Sequence, residues 1–444
     1  MGKGIATYVN LDREYSSVKV AVKKYCIMIP VMSPQDKQYR CLLPTTTMIY
    51  MAISIFILSA CGPTTRPEDL LTSQATSQMK TSQPAATPTP RGTPLPGVGP
   101  RDFPSGVNPL TGLEVQKVSN LERQPVGVKI NNYPRDDRPQ WGLSLADIVF
   151  EYYHNNDLPR FHAIFYGQDA ELAGPIRSAR PFDAYLVQSY GLNFVFGSAD
   201  DRVLQHLITK KNEPHLIYYL DGQCPPYPVC RHQPEEDNSL VTDTSIIDDF
   251  LHDQGVKTEM ANLEGMWFFD QAPDGGEPLE KLFITYSYAA YLFWEYYPKT
   301  GKYIRFQDAV EAVGSQKELY QPLLDRINKQ QIAADNVVVL LVPHIHRLYQ
   351  PPAEGNAAVE IVDMKFSGSG AAYAMRDGQV YEVRWERPEY DGILTLTFPD
   401  GQPYPFKPGN TWYQVVTPET EIRTQPQEWY FDFMLVPKLK EWEE

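Results

Sequence analysis

Along residues 125–210 the spacing of apolar and polar positions changes period several times. In Pro125-Val-Gly-Val-Lys-Ile130 the apolar residues Val126, Val128 and Ile130 fall on every second position, which predicts a strand. Asp147 to Tyr153 and Arg160 to Tyr166 predict two more. After Gly174-Pro-Ile-Arg-Ser-Ala-Arg-Pro181 the period lengthens, with Phe182, Tyr185, Leu186 and Tyr190 at helical spacing. Pro181 suits the first turn of that helix, Asp183 suits its positive end, and Gly191 is a natural stop. Asn193 to Phe196 predicts a short strand, and Ser198-Ala-Asp-Asp201 opens a helix carrying Val203, Leu204, Leu207 and Ile208. Strand–helix–strand–helix order predicts a parallel βαβ unit.

A further helix carries Ile246, Ile247, Phe250 and Leu251, and beyond it the pattern is that of strands. Residues 283–286, 291–297 and 302–306 predict a hairpin around Pro298-Lys-Thr-Gly301, and Val337 to Val342 a buried strand. Turns are expected at 376–379, 399–402 and 407–410. The expected fold class is α+β: an N-terminal α/β-like domain over 105–255, then a β-rich C-terminal domain over 262–440 built as a sandwich or open barrel.

Upstream, Met48 to Ala60 is a short apolar run ending in Leu58-Ser59-Ala60-Cys61. It falls short of the roughly 20 residues that span a bilayer as a helix, and it fits a signal-peptide core. Residues 1–61 are therefore expected to be a signal region ending at Cys61, a cysteine that accepts lipid. Since such signals run about 15–30 residues, the expected start is Met32. An uncleaved membrane anchor is the alternative, and both readings place the body outside the cytoplasm. Residues 62–104 are rich in Ser, Thr, Gln and Pro and read as a tether.

The chain carries a net charge of −15, although its first 60 residues hold seven Lys/Arg against three Asp/Glu. Nucleic acid is not an expected partner, because phosphate backbones need a basic face. Cys224 and Cys230 bracket a proline-rich loop and read as a local disulfide, with two free thiols as the alternative. There is no G-x-S-x-G elbow, no H-E-x-x-H and no phosphate-binding P-loop, and no cofactor is expected. His344 and His346 share a strand face, but a third metal ligand is missing from the sequence around them, so no metal site is expected. The aromatic run 291–297 fits core packing or sugar stacking.

Chemistry is expected where the loops 174–181 and 197–201 meet at the carboxyl ends of the strands, bringing Arg177, Ser178, Arg180, Ser198, Asp200 and Asp201 together. Two arginines beside a helix N-terminus make an anion site. In the alternative, they pair with Asp147, Glu151 or Asp183 and only brace the loop. Glu151, Asp183 or Asp200 could serve general acid–base chemistry there.

Several separated motifs resemble the YerB-like lipoproteins, a bacterial family with a domain of unknown function. They are Asn108-Pro-Leu-Thr-Gly112, Pro125 to Asn132, Arg138 to Tyr152, Arg160-Phe161 and Gly174 to Pro181. The resemblance covers about 105–420 and implies a two-part body with no assigned reaction. In the stretch Arg231 to Asn238, where the family commonly shows Ala-Pro-His-Asn, Asn238 fits but Asp237 precedes it. The candidate ligand-binding set is Asn131, Asn132, Glu151, Arg160, Arg177, Ser178, Arg180, Asp183, Asp200 and Asn238. The expected function is a lipid-anchored envelope module, tied to the membrane through Cys61, that binds a cell-wall glycan or peptide or a wall-synthesis protein. A glycan or peptide hydrolase and a purely structural protein are the alternatives.

Overall fold

The computed structural model describes residues 97–435 apart from 210, 234–237, 259, 350–358 and 390. The expected signal region, Cys61 and nearly all of the expected tether lie outside them. Strands β1 (Val126–Ile130), β2 (Ile148–Asn155) and β3 (Leu158–Phe165) form close to where the sequence predicts them. Asn156 and Asp157 both adopt positive φ, which gives the tight turn that folds β3 back antiparallel on β2. Helix α1 (Pro181–Tyr190) follows, closed by Gly191 in the left-handed conformation. Next come β4 (Asn193–Phe196), α2 (Asp201–Leu207) with Asp200 as its N-cap, and β5 (Leu216–Tyr218). The short strands β6 (Cys230–Arg231) and β7 (Leu240–Val241) pair, and α3 (Ile247–Asp253) ends this half.

The fold is mostly strand with few helices and has a large mixed sheet rather than a clear α+β body; of the expected βαβ unit it keeps β4–α2–β5, with β5 parallel beside β4. Strands β3 and β4, on either side of α1 in sequence, are not parallel neighbours. Both flank β1, β3 antiparallel and β4 parallel to it. The tight β2–β3 turn fixes β3 antiparallel to β2 and leaves the helical crossover to deliver β4 on the far side of β1. The sheet then continues into the C-terminal half, because β2 pairs in parallel with the strand Thr411–Val416. That strand pairs with Asn336–Leu341, followed by Gly368–Arg376 and Gln379–Arg387.

After β8 (Trp267–Phe268), strands β9 (Glu277–Ser287), β10 (Ala290–Tyr297) and β11 (Lys302–Asp308) form a meander that contains the expected hairpin around residues 298–301, joined by Gln427–Asp432. Their inner residues, Leu282, Ile284, Leu292, Trp294 and Phe431, belong to the same core as Phe161, Val337 and Trp412 of the large sheet. The opposite face of the large sheet buries Phe150, Tyr152, Tyr413 and Val415 with Phe182, Leu186 and Tyr190 of α1. Strands such as β2 and Asn336–Leu341 thus send alternate residues into two different cores.

Candidate functional site

On the helix-covered face, β1 and β3 set Lys129 opposite His162, and β2 and β3 set Tyr152 opposite Arg160. Helix α1 lowers Asp183 onto them. Lys129, Tyr152, Asp183 and His162 are all fully buried. Lys129 Nζ donates to the Tyr152 hydroxyl, which donates to Asp183. Lys129 Nζ also lies 3.3 Å from Asp183 Oδ1, and His162 Nδ1 lies 2.8 Å from the same oxygen. Asp183 Oδ2 accepts the backbone N–H of Arg180 at 2.7 Å, capping α1. His162 stacks on Phe194, ring centroids 4.8 Å apart. It lies so close over β1 that a Cβ on Gly127 would sit 2.6 Å from its Nε2, which accounts for glycine in that strand.

Burial lowers the Lys129 pKa to about 7, against the attraction of Asp183. For Asp183, burial alone would raise the pKa. The charge of Lys129 and the hydrogen bonds from His162 and Tyr152 outweigh it and hold the carboxyl well below its usual range.

Above this cluster lie Arg160, Arg177 and Arg180, all partly buried. Arg160 Nη1 donates to the carbonyl of Ser178 at 2.9 Å. Arg180 Nη1 reaches the same carbonyl at 3.4 Å and that of Ala179 at 2.8 Å. Arg177 forms no side-chain hydrogen bond among the described residues, and the Nε atoms of Arg177 and Arg160 are buried without a partner. No carboxylate among the described residues lies within 4 Å of any of the three guanidiniums. Burial, then the charges of Arg180 and Arg177, pull the Arg160 pKa well below its ordinary value. Beside the arginines, the Ser178 and Ser198 hydroxyls are 2.9 Å apart. The loop is held by main-chain bonds, from Arg177 N to Lys129 O at 2.9 Å and from Ala179 N to Ser198 O at 2.8 Å. At its start Gly174 approaches β7 so closely that a Cβ would fall 2.6 Å from Leu240 O.

The carboxylates proposed as partners for these arginines are engaged elsewhere. Asp147 accepts from the N–H groups of Tyr166 and Gly167 and from Asn108. Glu151 faces the opposite core, paired with Arg305. Asp183 serves Lys129, Tyr152 and His162. Asp200 lies 2.8 Å from Arg202 Nε. Asn131 donates to Asp137, whose carboxyl is raised by burial against a hydrogen bond from Asn238 and the charge of Arg177. Asn132 accepts from Arg138, which pairs with Asp308 of the other half. Of the candidate set, the structure therefore gathers Arg160, Arg177, Ser178 and Arg180, with Asp183 beneath and Asn131 and Asn238 beside them through Asp137. Glu151, Asn132 and Asp200 have separate bracing roles. Lys129, Tyr152 and His162 went unread in the sequence, although Lys129 interrupts an apolar strand and Arg160 and His162 stand two apart on one face.

A cleft of about 850 Å³ lies beyond the other end of α1 and is lined by Gln188, Leu192, Asn212, Ala261 and Ile393 among others. Volume alone gives it no chemistry, whereas the arginine face carries unmatched charge. Cys224 and Cys230 are bonded, Cα atoms 5.6 Å apart. His344 Nδ1 contacts the Val342 carbonyl and His346 Nδ1 contacts Glu360, and no metal-binding group of three ligands occurs among the described residues. No helix among them is long and apolar enough to cross a membrane.

Comparison with known proteins gives matches over nearly all of this body. Residues 110–256 match the N-terminal domain, and residues 282–413 the C-terminal domain, of a protein family of unknown function, DUF3048. YerB of Bacillus subtilis (strain 168), provisionally named a lipoprotein, is 28% identical over 324 residues, 69% of this chain and 85% of YerB. The crystal structure of Bacillus subtilis YerB superposes with a TM-score of 0.56 at 24% identity, covering 70% of this chain and 96% of that one, a likeness of fold.

Proposed function

This chain belongs to the DUF3048 family, and from that premise we propose that it is a lipid-anchored extracytoplasmic binding module whose arginine face holds an anionic group of a cell-wall component or of a wall-synthesis protein. One observation carries the reading: Arg160, Arg177 and Arg180 crowd together with no carboxylate within 4 Å among the described residues. Like charges held this close repel, and guanidinium forks recognise carboxylate or phosphate groups in bidentate fashion. A purely bracing role would pair the arginines with Asp147, Glu151 or Asp183, and all three carboxylates have other partners. The same commitments weigh against a hydrolase, which needs a carboxylate free to exchange protons with substrate. The anchor rests on Leu58-Ser59-Ala60-Cys61 and on the provisional lipoprotein name of YerB.

The test is co-sedimentation of the detergent-solubilised chain with purified cell-wall sacculi, beside the Arg177→Ala/Arg180→Ala double variant checked for equal folding. Retention of the unaltered chain and release of the variant are expected. Equal retention of both would remove the arginine face from the interaction, and solubilised wall fragments would point to catalysis instead.

A further inference from the structure

Resting on that reading, we infer that the anion taken by the arginine face is a phosphate monoester or pyrophosphate rather than a carboxylate. The argument is one of valence and charge. A carboxylate offers two oxygens and one negative charge, which a single guanidinium fork satisfies. Here three guanidiniums converge, and the donors already committed are one N–H of Arg160, to the Ser178 carbonyl, and one of Arg180, shared between the Ser178 and Ala179 carbonyls. Arg177 commits none. The remaining donors belong to three separate side chains, and the Ser178 and Ser198 hydroxyls, one of which donates to the other, leave one O–H more beside them. A terminal phosphate has three terminal oxygens and approaches two negative charges at neutral pH. It can take one fork from each side and still accept a hydroxyl. Asp183 and Asp200 attract Arg180 from a distance, but each is in direct contact with another cation, Lys129 or Arg202, and neither comes within 4 Å of the three guanidiniums. Asp137, an acidic neighbour of Arg177 among the described residues, is held by Asn131 and Asn238.

The experiment uses the full chain in detergent at fixed ionic strength, titrated calorimetrically with inorganic phosphate, pyrophosphate and acetate. Saturable binding of phosphate or pyrophosphate, with acetate weaker by about tenfold or more, is expected. Arg177→Gln should cost about tenfold or more, while Lys211→Gln, an exposed charge change at the distant cleft, should cost nothing. Acetate binding as tightly as phosphate would overturn the phosphate assignment. So would failure of both phosphates to bind a chain whose retention on sacculi still depends on Arg177 and Arg180, although the anion-binding reading would then stand. If sacculi and phosphates alike fail, both fall. Vesicles of phosphatidylcholine with and without phosphatidic acid separate the source. Arg177-dependent gain on phosphatidic acid assigns a lipid headgroup, and its absence alongside pyrophosphate binding assigns a soluble or wall-borne phosphate.

Discussion

Glu151 and Arg305 form an ion pair with no solvent exposure, joining β2 of the N-terminal half to β11 of the C-terminal half. Two oxygen–nitrogen contacts, 2.8 and 2.9 Å, link them, of which only the longer, from Arg305 Nη2 to Glu151 Oε1, is aligned as a hydrogen bond. The guanidinium lies among Phe161, Trp294 and Trp412, 4.8 Å from the Trp412 ring centre. Removing one charge leaves the other unpaired in an apolar box. Glu151→Ala is therefore expected to lose about 3–5 kcal/mol in urea unfolding, and Glu151→Leu/Arg305→Met to recover much of it. A loss below about 1 kcal/mol in the single variant would mean that water or a neighbour solvates Arg305.

Arg177 sits at the opposite extreme. It makes no side-chain hydrogen bond among the described residues, and its charge works against Arg160. Arg177→Ala is expected to leave the thermal midpoint unchanged or slightly raised while anion binding falls. Arg160→Ala, which withdraws a donor from the Ser178 carbonyl, should lower the midpoint. A marked loss of stability in Arg177→Ala would assign that residue a bracing role.

The two arginines near α1 could be read from the sequence because they flank a helix start that announces itself: Pro181 in the first turn, Asp183 at the third position, Gly191 at the end. The strand 126–130 was likewise written in period-two alternation, and those at 148–155 and 158–165 in short apolar and aromatic runs. Which strands become neighbours was not legible. Pairing of β2 with Thr411–Val416 joins residues more than 250 apart, and local pattern carries no record of it. The roles of Glu151 and Tyr152 depend on that same information. They are adjacent in sequence but point into opposite cores, so Tyr152 reaches Asp183 while Glu151 reaches Arg305. Lys129 and His162 escaped notice for a related reason, since each finds its partner only across strands or from the helix above.

The buried cluster should give stability a distinct pH profile. Asp183 titrates well below its unfolded value, so the stability it contributes is present above that value and is lost as pH falls through the folded one. Lys129, lowered from 10.5 to about 7 chiefly by burial, acts in the alkaline window. Between those values the unfolded chain holds a proton that the folded chain lacks, so stability rises with pH from about 7 to 10.5. Lys129→Met is expected to remove this alkaline rise. By taking a positive charge from Asp183, it should also move acid unfolding to higher pH. Asp147, raised to about 6 by burial, contributes in the reverse sense as pH rises from its unfolded value, and cancels when the two proteins are compared. Urea midpoints measured from pH 3 to 10 decide it, and superimposable profiles would show that Lys129 does not titrate with folding.

The disulfide lies outside the arginine face yet bears on it. Cys230 belongs to β6, β6 pairs with β7, and Leu240 of β7 accepts the N–H of Ile176 at 2.7 Å, one residue before Arg177. Closing a loop of this length restricts the unfolded chain by about 2 kcal/mol on the chain-entropy account. Cys224→Ser/Cys230→Ser should therefore lower unfolding stability by about that much. Because the β6–β7 pair is only two residues long, loosening it should release Ile176 and let the arginine loop sample other positions. Phosphate affinity is then expected to fall modestly, by less than in Arg177→Gln, with faster hydrogen exchange at the Ile176 amide. Unchanged exchange there, despite the loss of stability, would show that the main-chain bonds from Arg177 to Lys129 and from Ala179 to Ser198 hold the loop without help from the disulfide.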